Sequence, residues 1–273
     1  MGRVTMGKLP MVTAVFWVIK ILATTLGESA SNFVAMSPLN LGYVTSSIIF
    51  IVLFAITLVA QLRVDRFHPV TFWSVILITS IVGTSMSDFM NRTAGLGYTG
   101  GATVLTTCLV VVLIVWRATG QNMNVEQIDT FKGEVLYWLA TLISNTLGTS
   151  SGDFLSDSLG IGFRDSALVL TAALLLILGG HYLTSINGTV LFWIAYVLTR
   201  PLGATAENAV EKPRAIGGLG VGTTVTSAFL LAPLIAGVLY QSFTHRQQTS
   251  QLDTAPADGQ STAAAQPDDG HTR

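Results

Sequence analysis

The stretch that decides the fold is residues 17–33, WVIKILATTLGESASNF, because its pattern occurs four times along the chain. Each copy begins with a tryptophan, has a glycine ten residues later, and places an acid or its amide five residues beyond that glycine. The copies start at Trp17, Trp73, Trp138 and Trp193. A fixed internal spacing of this kind is the sequence signature of a repeat architecture.

Each copy predicts a helix with one polar face. Counted from the tryptophan, the positions that mark this face are 0, 3, 7, 10, 11, 14 and 15, and small and polar residues are concentrated there. Residues three, four and seven apart share one face of a helix, so these positions form a stripe. Within the stripe, small residues four apart, such as Gly27 and Ser31, let helix backbones approach closely in lipid. Close packing alone is therefore one explanation of the stripe.

The composition is that of a polytopic membrane protein. Half of the residues are hydrophobic, 11% are charged, and the mean hydropathy is +0.60, whereas a soluble domain is about 25% charged. The net charge of -1 gives no sign of the basic surface expected for a nucleic-acid partner. Cys108 is the only cysteine, so an internal disulfide is excluded.

A second, blander apolar run follows each copy and begins near a glycine, as in Leu41-Gly42-Tyr43 and Leu219-Gly220-Val221. The predicted fold is therefore an all-α integral membrane protein, with eight transmembrane helices arranged as four parallel helical-hairpin repeats. The repeats are expected at about residues 12–62, 68–117, 133–183 and 188–240, within a transmembrane domain of residues 1–241. The spans are expected near residues 11–33, 41–62, 70–90, 98–117, 134–155, 164–183, 189–209 and 218–240.

The C-terminal residues 242–273 contain almost no large apolar side chain and are predicted to form a disordered tail. Eight spans place both termini on one side of the membrane. Lys and Arg near the span ends are more frequent on that side, which predicts cytoplasmic termini and a multi-pass protein of the cell inner membrane. All four polar stripes then run in the same direction.

Ionisable residues on the stripes are harder to explain by packing, since a charge near the bilayer centre costs about 2.5–3.5 kcal/mol on insertion scales. They define a candidate ion path, with Lys20 and Arg200 as internal counter-charges. The residues predicted to line it are Glu28, Asn32, Asp88, Asp153, Glu207 and Asn208. Two alternatives stay open: the acids lie in the interface region, or they form buried ion pairs that only fix helix register.

The stripes offer oxygen ligands and contain neither His nor Cys. This donor set suits protons or hard cations such as Mn²⁺ or Mg²⁺, as transported ions rather than as bound cofactors. If the repeats surround one axis, the residues five past each glycine are expected to meet at one depth, joined by Glu28 and Glu207.

The segments ATTLGESASNF, IVGTSMSDF, NTLGTSSGDF and RPLGATAENAVEKP carry a family resemblance. Over about residues 12–240 the chain resembles a bacterial family of polytopic membrane proteins, built from four copies of a short repeat of unknown function and described as uncharacterised membrane-anchored proteins. The resemblance implies four membrane hairpins and supplies no catalytic residues. The copies differ, because an acid follows the glycine only at Glu28 and the fourth copy has Glu207-Asn208 at the late acidic position.

The predicted function is a membrane transporter or channel for a small cation, either a metal ion or a proton-coupled ion. The alternative is a non-transporting membrane scaffold or regulatory protein. An intramembrane enzyme ranks last, because no acid, base and nucleophile set can be assembled from the motifs. The expected partners are the lipid bilayer and a small cation, and a further copy of the chain in an oligomer is possible. Convergence of the four stripes on one polar cavity favours transport, whereas dispersed dry contacts favour a scaffold.

Overall fold

The computed structural model describes residues 9–254, with side chains described as far as residue 247. Within these residues the fold is all-α and contains eight long helices, as predicted. They are α1 (Ala14–Ala35), α2 (Gly42–Leu62), α3 (Pro69–Asp88), α4 (Gly97–Ala118), α5 (Phe131–Asp153), α6 (Phe163–Leu183), α7 (Gly188–Glu211) and α8 (Thr223–Thr254). The first seven begin and end within three residues of the predicted spans.

The helices that carry the repeated stripe are α1, α3, α5 and α7, and their starts follow known capping rules. The Thr13 side chain accepts a hydrogen bond from the main chain of Phe16, and Thr130 does the same for Gly133. Asn187 caps α7, and Pro69 occupies the first turn of α3. The Thr13, Thr130 and Asn187 side chains satisfy amide groups that the helix itself leaves without partners, and Pro69 has no amide hydrogen that needs one.

The four stripe helices form a closed inner ring in the order α1, α3, α5, α7 and back to α1. At each step the repeated glycine of one helix meets the position-7 residue of the next. The four contacts are Gly27 with Ser80, Gly83 with Asn145, Gly148 with Arg200, and Gly203 with Thr24. Because the same position meets the same position each time, the inner helices run parallel around one axis with fourfold pseudosymmetry.

The outer helices α2, α4, α6 and α8 each pack mainly on the inner helix of the next repeat. Thus α2 lies on α3, α4 on α5, α6 on α7, and α8 returns to α1. Two hydroxyl contacts at matching positions show that the outer helices pack in an equivalent way. Ser47 lies against Ser85 and Ser227 against Ser29, each with 2.7 Å between the Oγ atoms. The repeats are therefore consecutive helix pairs that interlock, and the last repeat closes on the first.

By length and composition, six of the described helices could cross a membrane: α2, α3, α4, α6, α7 and α8. The two others, α1 and α5, carry polar stripes inside the ring and are shielded by their neighbours. The outer helices expose large apolar side chains, including Ile48, Leu175, Leu176 and Phe229. An apolar outer surface around a polar interior is the distribution that lipid requires.

The last helix differs from its predicted bounds at both ends. It begins at Thr223 instead of 218, because Gly222, with φ +81°, takes the place of the positive-φ glycines at the starts of the other outer helices, such as Gly42 at +75°. Such positive φ values favour glycine. At its other end α8 continues to Thr254, so residues 242–254 are helical where a disordered tail was predicted.

Contacts near the end of the apolar span hold α8 against the ring as far as His245. The Gln241 side chain accepts a hydrogen bond from the indole of Trp73, and the His245 ring packs on Phe67 with centroids 5.4 Å apart. These contacts anchor the helix beyond its membrane segment. The prediction for the remainder of the tail, residues 255–273, lies outside the described residues.

Candidate functional site

Aromatic side chains close the inner ring at its tryptophan end. Each tryptophan packs against the aromatic residue that immediately precedes the tryptophan of a neighbouring repeat. The centroid distances are 5.5 Å for Phe16–Trp73, 5.7 Å for Phe72–Trp138, 6.1 Å for Tyr137–Trp193 and 5.6 Å for Trp17–Phe192. These eight residues, here called the aromatic layer, follow the same cyclic order as the glycine contacts.

The connection between α4 and α5 folds over this end of the ring. Val125 and Ile128 in that connection are buried, and the Trp193 indole donates to the main-chain oxygen of Met123 at 3.1 Å. Together with the aromatic layer, this segment seals the tryptophan end of the axis.

Lys20 lies one turn further along the axis and is fully buried. Its ammonium group is 4.0 Å from the centroid of the Tyr196 ring and has no hydrogen-bond partner among the described residues. The Tyr196 hydroxyl is in turn within hydrogen-bond distance of Thr141, at 3.1 Å, and Tyr137, at 3.3 Å. Among the described residues, the Lys20 ammonium group therefore contacts the face of an aromatic ring rather than a carboxylate.

A buried ion pair occupies the middle of the ring. The Arg200 guanidinium lies 2.9 Å from the Glu28 carboxylate, and this Arg200–Glu28 contact is here called the central pair. Hydroxyl groups of Thr84 and Thr149 donate to the same carboxylate oxygen at 2.9 and 3.3 Å. Side chains from all four inner helices therefore meet at the axis around one carboxylate.

Beyond the central pair, Asp88 and Asp153 converge on Arg92. The Arg92 guanidinium is 2.9 Å from the Asp88 carboxylate and 3.7 Å from that of Asp153. It lies over the rings of Tyr43 and Tyr98, at 6.0 and 5.8 Å from their centroids. Helices α3 and α5 each continue as one π-helical turn directly after the aspartate, a local feature that is frequent at functional sites.

Two further carboxyl groups lie on α7. Glu207 is fully buried, and neither of its carboxyl oxygens has a hydrogen-bond donor among the described residues. Glu211, one helical turn later on the same face of α7, is also buried, so the two carboxyl groups are neighbours. Lys212 reaches only the outer oxygen of Glu211, at 4.0 Å. Glu207 and Glu211 are here called the carboxyl pair.

These groups border an open cavity of about 620 Å³, here called the vestibule. It lies at the end of the ring opposite the aromatic layer. Its lining includes Arg92, Asp153, Phe163, Asn208, Glu211 and Lys212. From the tryptophan position to the Glu211 position, α7 rises about 27 Å, close to the hydrocarbon thickness of a bilayer.

The predicted path residues five past each glycine hold equivalent positions in the ring, whereas Glu28 lies about one helical turn deeper. Asp153 and Asn208 line the vestibule, and Asp88 joins them through Arg92. Glu28 lies deeper and forms an ion pair with Arg200. Asn32 is buried at the matching position of α1 but does not line the cavity. Within the described residues no three or more His, Cys, Asp or Glu side chains form a group that could hold a metal ion.

The sequence reasoning missed Arg92, Glu211 and the aromatic residue before each tryptophan. A signal for each was present: Arg92 and Glu211 lie one helical turn after Asp88 and Glu207, and all four copies have Phe or Tyr before the tryptophan. Glu211 lies beyond the predicted end of the seventh span at residue 209, whereas α7 extends to Glu211 and buries it.

Comparison with protein-family profiles matches this chain to a Repeat of Unknown Function (DUF347) four times, at residues 15–67, 71–122, 136–187 and 191–247. The chain belongs to the DUF347 family. Each matched segment contains one inner helix and the outer helix that follows it, so the DUF347 repeat corresponds to one structural unit of the ring. Searches of curated proteins and of solved structures found no match.

Proposed function

We propose that this protein is a membrane transporter for a small cation. The observation that carries the proposal is the convergence of all four stripes on one axis, with a vestibule at one end and ionisable residues along it. A scaffold needs only dry helix contacts. One buried ion pair is enough to fix the register of its helices, whereas the further charged side chains around the vestibule add a cost in the membrane that packing does not require.

The charge balance supports a cation. Three acids (Asp153, Asp157 and Glu211) and two bases (Arg92 and Lys212) line the vestibule. Buried Asp88 and the second carboxyl of the carboxyl pair lie just behind this lining. A cleft with excess negative charge and low-dielectric walls raises the local concentration of cations.

Two barriers support a gated transporter over an open channel. The central pair fills the ring at mid-depth, and the aromatic layer seals the axis beyond it. An ion that enters the vestibule can pass only if helices or side chains at both levels rearrange. Such barriers are the structural requirement for alternating access to a site within the bundle.

The test is cation flux in proteoliposomes, measured separately for Mn²⁺, Mg²⁺ and protons. We expect the Asp88→Asn/Asp153→Asn variant to lose flux, because the amides keep the shape but leave Arg92 as an uncompensated positive charge in the vestibule wall. Asp65→Asn, at an exposed acid outside the ring, is the matched control and should transport normally. Full flux in the double variant at normal expression would contradict the proposal. Absence of flux of every cation in the parent protein would favour the scaffold.

A further inference from the structure

We infer that the carboxyl pair, Glu207 and Glu211, is a proton-binding site that holds one proton between its two carboxyl groups. The inference deepens the proposed transport function, on which its physiological meaning rests, by naming the proton as the coupling ion. The site itself is a property of the folded protein and can be tested without any flux.

The geometry of the pair requires a positive partner. Glu207 is fully buried, and both its oxygens lack a hydrogen-bond donor. The inner oxygen of Glu211, Oε2, is likewise buried and without a partner. Two adjacent carboxylates in such a place would repel each other and would lose the hydration that stabilises them in water. A proton on one of them turns the repulsion into an O–H···O hydrogen bond.

The surrounding charges do not replace that proton. On α1, Glu28 faces Glu207 but is already paired with Arg200. On α5, Asp153 adds negative charge and shares Arg92. Lys212 lies 4.0 Å from the outer oxygen of Glu211 and is partly exposed, and such pairs contribute little.

The other elements packed on α7 are α6, α8 and the connection between α7 and α8, and they bring no buried charge to the pair. Arg214 in that connection is exposed. The charged residues in the first turn of α6, Arg164 and Asp165, are exposed. The sequence of α8 has no Asp, Glu, Lys, Arg or His before His245. The pair is therefore left with a negative charge that a small cation has to balance.

The donor set favours a proton over a metal ion. A metal ion needs several ligands around it, with six or more oxygens for Ca²⁺ and near-octahedral geometry for Mg²⁺. No group of three or more acidic, His or Cys side chains suitable for a metal occurs among the described residues. Two carboxyl groups in mutual contact suffice for a proton, and Glu211 opens to the vestibule, from which water can deliver it.

The pair is unique to the fourth repeat. The residues at the Glu207 position of the other copies are Ser31, Ser87 and Gly152, and those at the Glu211 position are Ala35, Asn91 and Ser156. The fourfold ring therefore contains this site once, which is the arrangement expected for a single coupling proton.

The experiment is infrared spectroscopy of the full-length protein in liposomes, with isotope-labelled glutamate to assign the bands. We expect the parent protein to show the C=O stretch of one protonated glutamic acid at neutral pH. Glu207→Gln and Glu211→Gln should each lose this band, since either change replaces the shared proton by an amide hydrogen bond. Asp165→Asn, which removes an exposed acid on α6, should retain it. Circular dichroism checks the fold of each variant.

Retention of the band in both Gln variants, or its absence from the parent protein, would overturn the inference. A band that emerges only after Na⁺, K⁺, Mg²⁺ and Mn²⁺ are removed would assign the pair to a metal cation and would also overturn it. If one variant fails to fold, the other variant and the parent spectrum still decide. If the protein shows the band but no cation flux, the proton site is supported and the proposed transport function is wrong. If it shows cation flux but no band, the transport function is supported and the proton site is wrong.

Discussion

Arg200 shows how a single buried charge can be accommodated in this fold. Its guanidinium donates to the carboxylate of Glu28, to the hydroxyl of Thr84, and to the main-chain oxygens of Thr24 and Ser80, both at 3.3 Å. Removing such an ion from water costs several kcal/mol, and only a nearby opposite charge with further hydrogen bonds offsets that cost. Each acceptor belongs to a different helix from Arg200, so the pair also fixes how the helices align.

Arg200→Ala is expected to lower the free energy of unfolding by about 3–5 kcal/mol, because it leaves the Glu28 carboxylate buried without its partner. The measurement is denaturant or thermal unfolding of the purified protein in detergent. Arg66→Ala, at an exposed loop arginine, should change the stability by less than about 0.5 kcal/mol. The Arg200→Met/Glu28→Gln double variant should recover part of the loss. Equal stability of Arg200→Ala and the parent would show that the pair is not buried in the membrane-embedded protein.

At the same scale, the sequence identifies the charged residues but not their partners. Lys20 and Arg200 are both recognisable as cations inside the bundle from their positions on the stripe. The Arg200–Glu28 pairing joins residues from the fourth and first copies, and it depends on the ring closing. The local sequence does not indicate the order in which the helices follow one another around the ring. Lys20 instead meets the Tyr196 ring, whose aromatic face is not recognisable from spacing.

At the scale of helices, the repeated glycine determines how closely neighbours approach. A Cβ atom added to Gly83 would lie 2.8 Å from the main-chain carbon of Asn145, and one added to Gly203 would lie 3.1 Å from the Cβ of Thr24. Both distances are shorter than ordinary van der Waals contact. The inner ring can therefore close only with glycine at these positions, as expected for small-residue packing in lipid.

Gly83→Ala is expected to destabilise the protein by about 1–3 kcal/mol, because α3 and α5 have to separate or shift to admit the methyl group. Thermal unfolding in detergent measures the effect. Gly179→Ala is the matched control, since Gly179 is also inside a helix but a Cβ there meets no atom within 4 Å. Alanine at that site should be neutral or slightly stabilising. Equal stability of the two variants would contradict the close approach of α3 and α5.

The sequence predicts the helices themselves well, because hydrophobic period and length are local properties. Seven of the eight lie within a few residues of expectation. The start of α8 was misplaced because Gly217, Gly218, Gly220 and Gly222 give four candidate breaks in a short segment. Its end was misplaced because the stabilising contacts, such as Trp73 with Gln241, come from a distant repeat. The packing of each outer helix on the next repeat is equally non-local.

For the whole molecule, the ring has two different ends. The aromatic layer and the connection between the two halves seal one end, and the vestibule opens the other. The vestibule bases Arg92 and Lys212 lie on the side away from the termini, as the order of eight consecutive helices requires. The direction of this polarity in the membrane decides which side of the membrane the vestibule faces.

We propose that both termini face the cytoplasm, which places the vestibule on the opposite side of the membrane. Reporter fusions at residue 125 and after residue 245 should both score as cytoplasmic. A fusion in the connection after α7, near Pro213, should score on the opposite side and serves as the internal control. A cytoplasmic score at Pro213 with opposite scores at the two other sites would reverse the orientation of the vestibule.

Closure of the fourth repeat on the first is the property of the whole molecule that distinguishes this ring from a row of independent hairpins. The Oγ atoms of Ser29 on α1 and Ser227 on α8 are 2.7 Å apart. Cysteines at both positions, in a Cys108→Ala background, should therefore form a disulfide on mild oxidation. After cleavage at a protease site introduced between α4 and α5, the two halves should separate on a denaturing gel only when reduced.

The pair Ser47→Cys/Ser227→Cys is the control for that cross-link. The two cysteines of this control also lie in different halves of the chain. Ser47 on α2 contacts Ser85 on α3 rather than α8, so the control pair should form no disulfide. Failure of the 29–227 pair to cross-link would refute the closed ring. A cross-link found only between two chains would mean that α8 closes on a neighbouring molecule, and the vestibule residues of the fourth repeat would then belong to an interface between copies.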